Sequence, residues 1–86
     1  MKNINDYIHV EQNDDKKCSI NCHKITIDSK NRQDLGEHKF SEIKNYFKTL
    51  KTKFEDESSG KYRVLIPKDA YDLKVLIDDL NTILNS

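Results

Sequence analysis

The sequence predicts an α+β domain in which two amphipathic helices pack on one face of a small, mostly antiparallel sheet. Three observations support this fold class: two apolar ladders of helical period, an apolar segment of strand character between them, and alternating residues near the N-terminus. The expected order of elements is β-β-α-β-α. At 86 residues the chain is long enough for one modest core, so a single domain over residues 1–86 is expected.

Both helices are predicted from apolar residues spaced three and four positions apart, which places one stripe toward a core. The first ladder comprises Phe40, Ile43, Phe47, Leu50 and Phe54, and the second comprises Ala70, Leu73, Ile77, Leu80 and Leu84. We therefore expect helices over roughly residues 38–55 and 68–84. Pro67 suits the first turn of the second helix, where its missing N–H costs nothing. The expected core contains Phe47, Leu50, Val64, Ile66, Leu73, Ile77 and Leu80.

The strands are predicted from shorter patterns. Residues 61–66, Lys-Tyr-Arg-Val-Leu-Ile, are typical of a strand that ends at a helix start, and residues 6–12 and 17–28 alternate as a hairpin would. Between Cys22 and Ile25 the apolar residues change parity, which predicts a bulge or tight turn near His23. An alternative makes 17–22 and 24–28 separate elements, and the sequence does not decide between the two.

The two longest polar stretches are predicted to lack regular structure. Residues 28–37 are rich in Ser, Lys, Asn, Gln and Asp and are expected to form a loop that ends where helical periodicity begins. Residues 54–60 read Phe-Glu-Asp-Glu-Ser-Ser-Gly and are expected to close the first helix with a flexible, acidic turn.

Composition and charge restrict the function classes. Fifteen basic residues balance fifteen acidic ones, which argues against a general polyanion binder. The excess of Lys over Arg, with many Asn and Ile, is typical of AT-rich genomes such as those of low-GC bacteria, their phages and plasmids. The N-terminus has no signal-like apolar run and no stretch is long enough to cross a membrane, so a cytoplasmic protein is expected.

The two cysteines are predicted to be reduced, buried and structural. Cys18 and Cys22 on one strand would lie roughly 13 Å apart at about 3.3 Å per residue, too far to share a zinc ion. We therefore expect no metal. A catalytic pair of Cys22 with His23 is also disfavoured, because neighbours on a strand point to opposite faces.

A lysine stripe on the first helix is the candidate for nucleic-acid contact. Lys44, Lys48 and Lys51 lie within about 60° of one another on a helical projection, and such a row could bind a phosphate backbone. The structural alternative is that their stems cover the edge of the core. Asp72 and Asp79 flank the apolar stripe of the second helix in the same way, so Lys and Asp could face each other across the helix seam. We favour this structural alternative.

The candidate partner-binding surface lies on the far side of the second helix. Tyr71 and Val75 are one helical turn apart there, beside Asp78 and Thr82. An aromatic and a β-branched residue at i and i+4 form a small apolar patch, and Tyr is enriched at interface cores. A partner, a second copy of the chain, or the N-terminal segment could cover it.

No phosphate-loop, dinucleotide-binding, serine-nucleophile or zinc-protease motif occurs in the sequence. We therefore expect no catalytic residues and no cofactor. The favoured function is a non-enzymatic protein-interaction module, a small regulator or inhibitor of phage or plasmid type that occupies a surface of a larger host macromolecule, with a homodimer as one form of association. The alternative is a nucleic-acid-binding or transcription-regulating protein that uses the lysine stripe.

Overall fold

The computed structural model describes residues 1–12, 22–52 and 54–86. A 3-10 turn at Ile4–Asp6 precedes the regular elements. The elements that follow are β1 (His9–Gln12), β2 (Cys22–Ile27), α1 (Ser29–Leu35), α2 (Glu37–Lys48), β3 (Phe54–Ser58), β4 (Lys61–Pro67) and α3 (Leu73–Leu84). The α+β class is confirmed, whereas the predicted order is replaced by β-β-α-α-β-β-α.

Within residues 1–12, 22–52 and 54–86 the sheet has four strands in the order β1-β2-β4-β3, and each neighbouring pair is antiparallel. The predicted pairing of the first two strands is confirmed, with His9 opposite Thr26 and Gln12 opposite His23. The predicted break at His23 is wrong, because β2 pairs with β4 residue by residue from Cys22 to Ile27. Parity changes because β2 buries residues on both faces: Ile25 and Ile27 join the main core, while Cys22 packs with Leu65 behind the sheet.

The predicted loop 28–37 contains a helix. The Asp28 side chain caps α1 by accepting a 2.8 Å hydrogen bond from the N–H of Asn31. Gly36, with a φ of 86°, ends α1 and lets the chain turn directly into α2. Since α1 buries none of its residues, it shows no apolar ladder in the sequence.

The first long helix is shorter than predicted, and the strand β3 replaces its expected end. The helix α2 stops at Lys48, and Phe54 begins β3. Ser59 and Gly60 both have positive φ, as a type I′ hairpin turn requires. A Cβ on Gly60 would lie 3.0 Å from the Cβ of Ser29, so the turn packs closely against the start of α1.

The core lies between one face of the sheet and the helices α2 and α3. Its buried residues are Ile4, Ile8, Ile25, Ile27, Phe40, Ile43, Phe47, Tyr62, Val64, Ile66, Leu76, Leu80 and Leu84. Four of the predicted core residues are fully buried, namely Phe47, Val64, Ile66 and Leu80. Leu50, Leu73 and Ile77 are only half-buried.

The predicted ladder of the last helix is confirmed in part. Leu80 and Leu84 are buried, Leu73 and Ile77 are half-buried, and Ala70 is exposed and precedes the helix. The helix begins at Leu73 rather than at residue 68, because Asp72 acts as the N-cap and accepts a hydrogen bond from the N–H of Lys74. Its buried residues are Leu76, Leu80 and Leu84.

Candidate interaction surfaces

The strand β3 forms an edge of the sheet. Within the described residues it pairs with β4 alone, in an unbroken register from Phe54 opposite Leu65 to Ser58 opposite Lys61. A two-residue hairpin is closed by a hydrogen-bonded pair, and bonded and non-bonded pairs then alternate along the strands. The backbone N–H and C=O groups of Glu55 and Glu57 therefore point away from the sheet.

The side chains of β3 alternate between the two faces. Glu55 and Glu57 lie opposite the core residues Val64 and Tyr62, so they are on the helix side of the sheet. Phe54 and Asp56 are on the other face. The strand sequence Phe-Glu-Asp-Glu-Ser contains no proline, and its three carboxylates protect the edge against pairing with another acidic strand.

The three carboxylates of β3 differ in their partners. Glu57 accepts hydrogen bonds from Lys44 at 2.7 Å and Arg32 at 2.9 Å. Asp56 accepts a 3.0 Å bond from Arg63. Glu55 accepts a 2.7 Å bond from the hydroxyl of Tyr62 and has no ion-pair partner within the described part of the chain.

These contacts change the acidity of two of the carboxyl groups. The hydrogen bond from Lys44 holds the pKa of Glu57 below its ordinary value, with a further contribution from the charge of Arg32. The hydrogen bond from Arg63 likewise lowers the pKa of Asp56. The nearby N–H of Glu57 contributes to the same shift, as expected for an N–H that does not bond to β4.

The sheet face opposite the helices has a small apolar centre. Leu65 is 1% exposed there and packs with Cys22 and the half-buried Phe54. Arg63 and Asp56 form an ion pair beside it. Antiparallel sheets often leave one face to solvent, so this surface alone does not indicate a site.

The predicted partner surface is divided by the structure. Tyr71 precedes α3 and is half-buried against the core, so it does not share a helix face with Val75. Its hydroxyl accepts a 3.0 Å hydrogen bond from the N–H of Lys51. Val75, Asp78 and Thr82 remain together on the exposed side of α3, where Val75 is 53% exposed.

The predicted lysine stripe is also divided. Lys44 is 23% exposed and forms its ion pair with Glu57, Lys48 is the last residue of α2, and Lys51 lies in the following loop. The suggested Lys–Asp seam does not form at the expected positions. Asp79 accepts a 2.7 Å hydrogen bond from the hydroxyl of Tyr46 instead.

A shallow concavity of about 390 Å³ lies where β2 begins and α3 starts, lined by His23 and residues 68–73. The Nε2 atom of His23 lies 3.2 Å from the carbonyl oxygen of Tyr71. A carbonyl only accepts, so this contact is a hydrogen bond in the tautomer that carries its proton on Nε2. The bond ties the loop before α3 to the central strand β2.

The cysteine predictions have a mixed outcome. Cys22 is fully buried, as predicted, but it is disulfide-bonded rather than reduced. Cys18 lies outside the described residues, as do the predicted turn at 13–16 and the start of the second strand at 17–21. Among the residues that the structure describes, no group of three or more His, Cys, Asp or Glu side chains could hold a metal ion.

Sequence reasoning missed the edge strand because three consecutive acidic residues are unusual in a strand. One signal was present: Ser59-Gly60, directly before the strand that starts at Lys61, is a dipeptide that marks a turn.

The comparisons with known proteins give no identity: no protein-family model, curated protein or solved structure matches this chain. Across the described ranges, none of the helices has both the length and the apolar character needed to cross a membrane.

Proposed function

We propose that this chain is a non-enzymatic protein-interaction module, a small regulator or inhibitor that occupies a surface of a larger host macromolecule. The edge strand β3 is the observation that supports this function best. Its outer edge pairs with no other strand within the described residues, and its side chains are held against the sheet by Tyr62, Arg63, Arg32 and Lys44. Such an edge is a preformed template for a strand of another protein.

A second surface supports the same function less strongly. Val75, Asp78 and Thr82 form part of the exposed side of α3, with Val75 the central apolar residue. A single exposed apolar residue is common on protein surfaces. This surface is therefore the second candidate, and an isologous homodimer through it is one form of association to be tested.

The nucleic-acid alternative has less support. A lysine that grips a phosphate needs an available ammonium group, and Lys44 already donates a 2.7 Å hydrogen bond to Glu57. Lys48 and Lys51 are exposed but do not continue a stripe on one helix.

Site-specific photo-cross-linking in cells that express the protein tests the proposed function. A benzoylphenylalanine at Ser58 reports on the edge strand, one at Thr82 reports on α3, and one at the exposed Gln33 of α1 is the matched control. We expect one discrete cross-linked protein from Ser58, and a purified complex between that protein and the wild-type chain. Capture from Thr82 alone would move the interface to α3, and no specific product from either site would contradict the function.

A further inference from the structure

We propose that β3 accepts an extended, basic segment of a partner protein as the fifth strand of the sheet. This inference rests on the proposed function and names the chemistry of the partner. Three properties of the edge support it: its backbone geometry, the arrangement of its carboxylates, and the alternation of its two faces.

The backbone supplies the attachment points. The N–H and C=O groups of Glu55 and Glu57 point away from β4, so two residues of an added strand can each exchange a pair of hydrogen bonds with them. The edge has no bulge from Phe54 to Ser58. Because the register is continuous, a strand of about five residues can pair along the whole edge.

The carboxylates argue against a second copy of β3 as the occupant. Two antiparallel β3 edges that use these outward groups can pair about a two-fold axis at Glu55, Asp56 or Glu57, and in each register the residue on the axis faces its own copy. With the axis at Asp56, Glu55 also faces Glu57 of the other chain. Like charges directly opposite each other destabilise a sheet, so the edge disfavours self-pairing.

The same carboxylates favour a cation on the partner. Glu57 is already neutralised by Arg32 and Lys44. Glu55 accepts a hydrogen bond only from the neutral Tyr62 hydroxyl among the described residues, so its negative charge remains uncompensated. A Lys or Arg opposite Glu55 would complete a cross-strand ion pair.

The alternation of a strand then fixes the pattern of the partner. The residue opposite Glu55 lies on the helix side, and its neighbours in the partner sequence lie on the other face, beside Phe54 and Asp56. An apolar or β-branched residue there would extend the small cluster of Leu65 and Phe54. The partner segment is thus expected to alternate basic with apolar residues.

A peptide titration followed by the amide resonances of the ¹⁵N-labelled full chain tests this inference. The probe is a capped heptapeptide of alternating lysine and valine, compared at low salt with its glutamate–valine counterpart. We expect the lysine peptide to shift the amide signals of Phe54–Ser58 and to slow hydrogen exchange at Glu55 and Glu57. The glutamate peptide should bind at least about tenfold more weakly, since it places like charges opposite the strand.

Backbone methylation separates strand addition from simple charge attraction. Only the residues directly opposite Glu55 and Glu57 bond to the edge, so N-methylation of the lysines should weaken binding by about tenfold or more. The N–H groups of the valines point away from β3, so N-methylation of the valines should change binding less than about threefold. Equal effects of the two methylated peptides would overturn the proposal, as would amide shifts that map outside β3.

A matched pair of protein variants tests the role of Glu55. Glu55→Gln keeps an acceptor for the buried Tyr62 hydroxyl but removes the charge, and should weaken lysine-peptide binding by about two- to fivefold. Asp34→Asn, an equal charge change on the exposed side of α1, should leave the affinity unchanged. If Ser58 cross-links a cellular partner and the lysine peptide still does not bind, the partner chemistry is wrong while the function stands. If the peptide binds and no partner is cross-linked, the function fails instead.

Discussion

The hydroxyl of Tyr62 donates a 2.7 Å hydrogen bond to Oε2 of Glu55, and so joins a fully buried ring to an exposed carboxylate on the edge strand. The ring also packs against two core aromatics, with centroid distances of 5.8 Å to Phe40 and 6.0 Å to Phe47. The edge strand is thereby connected to the centre of the core through one side chain.

The first prediction concerns stability at alkaline pH. Burial raises the pKa of Tyr62 well above its ordinary value of 10.0, and the hydrogen bond to Glu55 adds to the shift. Above pH 10 the unfolded chain releases the proton of this tyrosine, whereas the folded chain keeps it. The contribution of Tyr62 to the free energy of unfolding is therefore fully present below pH 10 and is lost as the pH rises further. Between about pH 8 and pH 11.5 the melting temperature of Tyr62→Phe should fall less than that of wild type. Parallel curves would contradict the assignment.

The second prediction concerns acid pH. The hydrogen bond from Lys44 lowers the pKa of Glu57 below its ordinary value of 4.5. The resulting stability is present above that value and is lost as the pH falls below it. Circular dichroism should show that Glu57→Gln loses less stability than wild type between about pH 6 and pH 3. The difference should shrink in about 1 M salt, because the carboxylate is partly exposed and the interaction is screened.

The third prediction compares two leucines of α3. Leu76 is fully buried and Leu73 is half-buried at the start of the helix. Leu76→Ala should therefore lower the free energy of unfolding by about 2–5 kcal/mol, and Leu73→Ala by about 1 kcal/mol or less. Urea unfolding followed by circular dichroism measures both. The same measurement on Phe47→Ala, at the centre of the core, should show a free energy of unfolding lower by about 3–5 kcal/mol. A larger cost for Leu73→Ala than for Leu76→Ala would show that the helix is rotated.

The fourth prediction separates fold from binding on the predicted partner surface. Tyr71 packs on the core and its hydroxyl contacts the N–H of Lys51, so Tyr71→Ala should destabilise the chain by more than about 1 kcal/mol. Val75→Asp should change stability by less than about 0.5 kcal/mol. Val75→Asp is therefore the informative variant for an α3 interface. Light scattering of both variants over a concentration series would show whether a homodimer exists and depends on Val75.

The fifth prediction addresses nucleic acid. Wild type is expected to show no measurable binding to duplex DNA at physiological salt, because Lys44 is paired with Glu57 and the formal net charge is zero. If Lys44, Lys48 and Lys51 did contact phosphates, replacing all three by Gln would lower the salt slope of binding by about 2–3 units. A sub-micromolar complex that the triple variant abolishes would favour the nucleic-acid alternative.

The parts of the fold that bury one apolar stripe were predictable from the sequence. Phe40, Ile43 and Phe47 mark α2 because only one face of that helix is buried. The strand β4 is recognisable for a different reason: Val64, Leu65 and Ile66 form a continuous apolar run, because both faces of this central strand are buried there.

The remaining elements could not be found by periodicity. The helix α1 has no fully buried residue and is held by its Asp28 cap, by the packing of Leu35 and by the ion pair of Arg32 with Glu57, so it has no apolar pattern. The strand β3 depends on partners distant in sequence, since Arg32 and Lys44 compensate Glu57. The candidate edge was missed for the same reason: its acidic residues are stable in a strand because Arg32 and Lys44 from the helices and Arg63 from β4 compensate their charge.

The attachment of the N-terminus to α3 has a consequence for the order in which the chain can fold during synthesis. The N–H of Ile4 donates a 2.7 Å hydrogen bond to the side chain of Asn81, and the N–H of Lys2 donates one of 3.0 Å to that of Asn85. The central strand β2 likewise cannot complete its pairing until β4 has been synthesised, since the two strands pair in the middle of the sheet. The segment that contains Lys2 and Ile4 can therefore reach its partners on α3 only after the ribosome has delivered residues 81–85.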